Sequence, residues 1–112
     1  MLANPPGLQP SEVRMVLITG PDLLPMQEAA LALFDAGHIP LIAEWIASPM
    51  ASLPSCGASL DAIYEPLSER LLLRADSVLR LEGGSASADS LVQVARAQGL
   101  RVFSSVDEVL AG

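Results

Sequence analysis

The stretch from Ser77 to Phe103 constrains the fold more than any other part of the chain. Ser77 to Leu81 is a short, largely apolar run that ends at a pair of glycines and is typical of a buried strand. Helical spacing follows from Ala86 to Gln98, and Leu100 to Ser104 again has the composition of a strand. Two strands joined through a helix of this length predict a parallel pair with a right-handed crossover.

The N-terminal half of the chain shows the same alternation of strands and helices. Val13 to Thr19 is a nearly continuous apolar run, as expected of a central strand that is buried on both faces. A helix is predicted to have Pro25 in its first turn and to end at Gly37, and Ile39 to Ala43 is predicted to be the next strand.

The middle of the chain is less regular. Glu44 to Ser59 contains two prolines and a glycine, and we predict a long loop that serves as a lid or a binding loop. Trp45 in this loop is expected to pack on the core or on a subunit partner, with stacking over a base as the alternative. Pro66 is predicted to open a helix that continues to Arg74, and a last short helix covers Val106 to Leu110.

This order of elements indicates an α/β protein with a parallel sheet covered on both faces. We predict a small flavodoxin-like or Rossmann-like three-layer domain with about four parallel strands. A chain of 112 residues has room for one domain, which we place at residues 13–112. Residues 1–12 contain three prolines and no periodicity, and they are predicted to form a flexible N-terminal arm.

Charge and composition narrow the possible partners. Thirteen acidic residues against six basic ones give a net charge of −7, which repels a polyanion and argues against nucleic acid. No apolar run approaches the ~20 residues that span a bilayer, so we expect no membrane partner. The single cysteine, Cys56, predicts a reducing, cytoplasmic compartment. A hydrophobic content of 51% makes a homo-oligomer, dimeric or higher, the expected assembly.

Two loops are predicted to meet at the carboxyl ends of the strands, where parallel sheets bind ligands. Small or polar residues dominate both loops, and the ligand-binding candidates are Gly20, Pro21, Asp22, Gly84, Ser85 and Ser87. Backbone N–H groups at the start of the following helix, together with the serines, are suited to a phosphate or a ribose hydroxyl. The alternative is that the serines only cap the helix and the glycines only form turns.

Carboxylates offer a second type of chemistry in the same crevice. Asp22, Asp89 and Glu44 each follow a strand, and glycosyl transfer or hydrolysis requires one carboxylate as nucleophile or base and another as acid. Asp89 also falls in the first helical turn, where the helix dipole favours a negative charge without any catalytic role. His38 is expected at the opposite end of the sheet, and Cys56 has no neighbouring ligand, so we predict neither a metal nor a cofactor.

Three segments carry a resemblance to a known family: VLITGP at Val16 to Pro21, AALALFDAGHIP at Ala29 to Pro40, and the long stretch from Arg74 to Phe103. They resemble the nucleoside 2-deoxyribosyltransferase-like superfamily, and more closely its small bacterial branch, which is described as a domain of unknown function. The resemblance implies a flavodoxin-like sheet, homo-oligomerisation, and a crevice for a small molecule such as a nucleoside or nucleoside monophosphate.

The chain departs from that family's catalytic pattern, Ser-x-Gly-Ala-x-x-Glu. Ser85 and Ala88 fall on the pattern, but Ser87 replaces the glycine and Leu91 replaces the nucleophilic glutamate. Ser68 stands where active members often carry an orienting aspartate. Leucine has no group that can attack an anomeric carbon, so the covalent route is lost.

Two hypotheses follow. The first, which we favour, is a nucleoside- or nucleotide-binding domain without chemistry. The alternative is an N-glycosidic bond hydrolase or deoxyribosyltransferase that uses Asp89 as its base. A catalytic Asp89 should be accessible and within ~6 Å of a second carboxylate, whereas a capping Asp89 should bond only to the N–H groups of its own helix.

Overall fold

The computed structural model describes residues 12–112, and within this range the chain forms four parallel strands and five helices. The strands are β1 (Met15–Thr19), β2 (Ile39–Leu41), β3 (Ser77–Arg80) and β4 (Arg101–Phe103), in the order β2-β1-β3-β4. This arrangement confirms the predicted small three-layer α/β domain of the flavodoxin-like or Rossmann-like type. The N-terminal arm lies, as far as residue 11, outside the described residues.

The helices are α1 (Leu23–Asp35), α2 (Ala43–Ala51), α3 (Leu60–Leu72), α4 (Ala86–Ala97) and α5 (Val106–Ala111). Helices α1 and α5 cover one face of the sheet, α3 and α4 cover the other, and α2 packs against α3. None of the helices in the described part of the chain is long and apolar enough to cross a membrane.

Both faces of β1 are buried, as its nearly continuous apolar sequence predicts. Val16 and Ile18 belong to the core under α1 and α5, whereas Leu17 belongs to the core under α3 and α4. Because side chains alternate along a strand, Thr19 faces the same side as Leu17. The last residue of β1 therefore directs a hydroxyl toward α3, at the end of the sheet where the candidate site lies.

The predicted loop over residues 44–59 is wrong in its first half, because α2 occupies Ala43–Ala51. Pro49 lies inside this helix, where its missing N–H removes only the hydrogen bond to the Trp45 carbonyl. The helix ends two residues later, so the cost of the proline is confined to its last turn. Ala43 and Ala47 are buried and attach the helix to the rest of the fold.

Helix α3 begins six residues before Pro66, the residue predicted to open it. Its start is set by Ser59, whose Oγ accepts a hydrogen bond from the Ala62 N–H at 3.2 Å, and by Asp61 in the first turn. A hydroxyl cap and an early carboxylate satisfy and stabilise the unpaired N–H groups of a helix start. The other predicted elements agree with the structure to within two residues at each end.

Candidate functional site

A cavity of about 770 Å³ opens where the loops after β1 and β3 meet. Gly20 and Pro21 line it from the first loop, and Ser85 and Ser87 line it from the second. The two loops are in close contact, because a Cβ placed on Gly83 would lie 2.7 Å from Cγ of Pro21. The structure therefore brings together two loops that are distant in sequence, at the carboxyl ends of the strands.

Helices α2 and α3 form the opposite wall of this cavity, which we call the crevice. Glu44 and Ser48 contribute from α2, while Asp61, Tyr64 and Glu65 contribute from α3. The crevice is therefore lined by three carboxylates, and no arginine or histidine of residues 12–112 lines it. Its electrostatic character is acidic, which favours neutral or cationic groups over anions.

Tyr64 and Glu44 form a partly buried pair inside the crevice. Burial raises the pKa of the Tyr64 hydroxyl; the nearby Thr19 and Ser68 hydroxyls act in the opposite direction, and the Glu44 carboxylate adds to the rise. Burial also raises the pKa of Glu44, while the nearby Tyr64 hydroxyl partly offsets that rise. The pair thus holds a carboxylate of increased basicity beside a phenol donor, facing the space where a ligand would bind.

Two hydroxyls next to Tyr64 have no hydrogen-bonding partner within residues 12–112. Thr19 is 1% exposed and Ser68 is 2% exposed. Both hydroxyls lie close enough to the Tyr64 hydroxyl to lower its pKa, but neither forms a hydrogen bond with it. Buried hydroxyls are normally paired, because an unpaired one costs about 1–3 kcal/mol. Ser68 lines a smaller recess beside the crevice, whereas Thr19 lines neither cavity.

A smaller recess of about 120 Å³ adjoins the crevice between α3 and α4. Ser68 and Glu69 line it from α3, Leu91 and Val94 line it from α4, and Tyr64 belongs to both the recess and the crevice. Ser68 and Leu91 are the two positions at which the resemblance expects an aspartate and a glutamate. Both positions line the same recess, which the side chains of Glu65 and Glu69 also line.

The start of α4 combines capping with a place in the crevice wall. Ser85 is the N-cap residue, and its Oγ accepts a hydrogen bond from the Ala88 N–H at 3.2 Å. The Ser87 hydroxyl lies 3.3 Å from that oxygen. Both serines line the crevice, whereas Gly84 does not, and a Cβ on Gly84 would meet nothing within 4 Å. Ser85 therefore serves the capping role that was the alternative to ligand binding, and its side chain still faces the crevice.

Asp89 does not line the crevice. Its carboxylate forms an ion pair with Arg80, with 3.0 Å between Nη2 and Oδ1, and its side chain is 68% exposed. The Arg80 guanidinium also donates to the carbonyl oxygens of Leu81 and Gly83. The carboxylate is accessible, and it pairs with the arginine that bonds to the loop after β3 instead of capping its own helix.

Asp22 follows β1 as predicted but also stays outside the crevice lining. It occupies the N-cap position of α1 without making a capping hydrogen bond through its side chain. Trp45 lies on α2 and is 43% exposed, so it is not part of the core. Among the described residues, no group of three His, Cys, Asp or Glu side chains is arranged to hold a metal ion.

His38 lies at the opposite end of the sheet, as predicted. Its Nδ1 accepts a hydrogen bond from the backbone N–H of Arg14 at 3.1 Å, which places the proton of the neutral ring on Nε2. Burial lowers the pKa of His38, and the Arg14 charge lowers it further. The histidine is therefore remote from the crevice and is held neutral by its surroundings.

Helix α3 supplies four of the crevice residues, none of which the sequence pattern predicts as a site residue: Leu60, Asp61, Tyr64 and Glu65. Asp61, Tyr64, Glu65 and Ser68 recur at steps of three and four, the spacing that places side chains on one helical face. A helix that opens at Pro66, as predicted, leaves Asp61, Tyr64 and Glu65 outside it. The Ser59 cap followed by Asp61 is the signal that would have found it.

No protein-family model, curated protein or solved structure matches this chain. The function of the crevice is therefore inferred from its own residues and their geometry.

Proposed function

We propose that the crevice binds a nucleoside-like small molecule. Its position at the carboxyl ends of parallel strands is where ligands bind in sheets of this type. The observation that carries the proposal is the set of facing groups, with Glu44 and Tyr64 on one wall and the Ser85 and Ser87 hydroxyls on the other. Carboxylates and hydroxyls are the usual partners of ribose hydroxyls, and the aromatic ring of Tyr64 offers an apolar surface to a base.

The charge of the crevice favours a nucleoside over a nucleoside monophosphate. The N-terminus of α4 supplies only about half a positive charge, and the three carboxylates of Glu44, Asp61 and Glu65 outweigh it. A phosphate would also meet no basic side chain from residues 12–112 along this wall. The net charge of −7 likewise repels polyanions and disfavours nucleic acid as a ligand.

The test is a thermal-shift screen of nucleosides and their 5′-monophosphates, followed by calorimetry on each hit. A nucleoside at 100 times its Kd is expected to stabilise the fold by about 2.7 kcal/mol, which corresponds to a shift of roughly 10 °C. Glu44→Gln should weaken binding, whereas Glu28→Gln, which removes the same charge from α1 outside the crevice, should leave it unchanged. A screen without any shift would refute the proposal.

A second candidate function is hydrolysis of an N-glycosidic bond, and the partly buried Glu44 carboxylate in the crevice favours it. Glu44 would accept a proton from water while the water oxygen bonds to the anomeric carbon. The C–N bond breaks as the C–O bond forms, the base leaves with the bonding electron pair and takes a proton from solvent, and Glu44 returns its proton to solvent. Chromatographic detection of free base after incubation tests this function. Glu44→Gln should abolish release, and Asp89→Asn should not; retained release in Glu44→Gln would exclude this role.

The proposal includes a cytoplasmic, homo-oligomeric protein. The lone Cys56 suits a reducing compartment, and Trp45, Ile46 and Met50 on α2 expose apolar surface that a second subunit could cover. Light scattering coupled to size exclusion measures the assembly directly, and a mass equal to one chain at all concentrations would contradict it.

A further inference from the structure

The recess between α3 and α4 has a chemical character of its own. Its polar lining includes the Glu65 and Glu69 carboxylates, which at neutral pH can only accept hydrogen bonds. It also includes Ser68, which is 2% exposed and whose Oγ has no partner within residues 12–112. An acidic pair alone would be an ordinary solvated surface. The buried, unpartnered hydroxyl beside it indicates a place where an entering group completes a hydrogen bond.

We propose that this recess receives the amino edge of a nucleobase, so that the crevice selects amino-bearing nucleosides over their keto counterparts. This inference rests on the proposed function, because it assumes that a nucleoside occupies the crevice. An exocyclic amino group carries two N–H donors and no acceptor lone pair in the ring plane. One donor can reach the Ser68 hydroxyl and the other a carboxylate of Glu65 or Glu69.

The remaining lining fits a flat apolar ring behind that amino edge. Leu91 and Val94 of α4 face Tyr64 of α3 across the recess. The recess has a volume of about 120 Å³, roughly four times the volume per molecule in liquid water. It can hold part of a base but not a whole nucleoside. Tyr64, Glu65, Ser87 and Ser90 line both cavities, so the sugar can stay in the crevice while the base edge enters the recess.

A keto edge does not suit the same lining. A carbonyl oxygen directed at Glu65 and Glu69 would place two acceptors against each other with no proton between them. The ring N–H beside that carbonyl can donate to one carboxylate, but the carbonyl oxygen would still face the other, whereas an amino group presents two donors to the same lining. Selection by this recess therefore depends on hydrogen-bond direction rather than on size.

Calorimetry with two size-matched pairs tests the inference: cytidine against uridine, and adenosine against inosine. At least one amino-bearing member is expected to bind about tenfold or more tightly than its keto partner. Ser68→Ala and Glu69→Gln should each reduce that ratio. Ser77→Ala is the matched control, because it removes another buried, unpartnered hydroxyl at the opposite end of β3 and should leave the ratio unchanged.

The two proposals fail in different ways. Equal affinity for both members of each pair would overturn the amino selection and leave nucleoside binding in place. A keto preference would have the same consequence. Absence of binding by all four nucleosides would overturn both. Since the wild-type ratio is measured without any substitution, a variant that fails to fold does not prevent a decision.

Discussion

Gly83 is the residue where the two loops of the crevice touch, and replacing it by alanine should separate them. Its φ is +117°, a backbone conformation that residues with a Cβ rarely adopt. The Cβ of an alanine would lie 2.7 Å from Cγ of Pro21, a distance that real Cβ contacts essentially never show. Pro21 belongs to the loop after β1, so the overlap cannot be relieved within one loop.

The expected loss of stability has two sources. Holding a residue with a Cβ in this part of conformational space costs about 1–3 kcal/mol, and forcing an extra methyl into a closed contact costs about the same. Because a shift of the loop relieves both together, we expect Gly83→Ala to lower the free energy of unfolding by about 2–4 kcal/mol. With an unfolding entropy of about 2.1 cal/mol/K per residue, the melting temperature should fall by roughly 8–17 °C.

Gly84→Ala is the matched control for this measurement. Gly84 has no positive φ, and a Cβ there would meet nothing within 4 Å. Its substitution should leave the free energy of unfolding unchanged, or raise it by up to about 1 kcal/mol because alanine lowers the conformational entropy of the unfolded chain. Urea denaturation with an unchanged m-value is the assay. If the two variants differ by less than about 0.5 kcal/mol in free energy of unfolding, the contact between Gly83 and Pro21 does not restrict the residue at position 83.

Three further predictions concern stability and its pH dependence. Folding raises the pKa of Glu44, so the ionised carboxylate opposes folding. Glu44→Gln should therefore be more stable than wild type at pH 7, and the difference in free energy of unfolding between the two should grow as pH rises through 4.5. Urea titrations at several pH values measure this, and a gap independent of pH would contradict it. Folding lowers the pKa of His38, so the protonated ring opposes folding. The free energy of unfolding should therefore decrease as pH falls below 6.5. His38→Asn should flatten that decrease in thermal melts, and an unaltered slope would exclude the histidine as its source. Ser59→Ala should cost about 1 kcal/mol by loss of the α3 cap, and a urea midpoint equal to wild type would show that the cap is not needed.

Much of the fold could be predicted from hydrophobic pattern and glycine position. The run at Val16 to Thr19 has no polar break, and the buried strand β1 follows from it. Gly37 and Gly99 have positive φ and lie just after α1 and α4, where a residue without a Cβ ends a helix. The error at α2 and α3 came from the prolines, because a single proline removes one hydrogen bond and the packing of α2 on α3 outweighs that loss.

The candidate site could be predicted only in part. That Gly20 and Pro21 would approach Ser85 and Ser87 follows from the rule that parallel strands end at one edge of a sheet. The ion pair between Asp89 and Arg80 could not be predicted, because it depends on where β3 ends relative to α4. Local sequence carries no information on such a distance.

The sequence by itself determined the four strands, the helices α1, α4 and α5, the acidic charge and the two loops at the strand ends, since each depends on neighbours along the chain. Only the tertiary structure decided which polar groups meet there. Packing of α2 and α3 places Glu44 and Tyr64 opposite the start of α4 and leaves the Ser68 hydroxyl buried beside Leu91. The distances between these groups depend on the angle at which the helices cross. That angle results from core contacts between residues far apart in sequence.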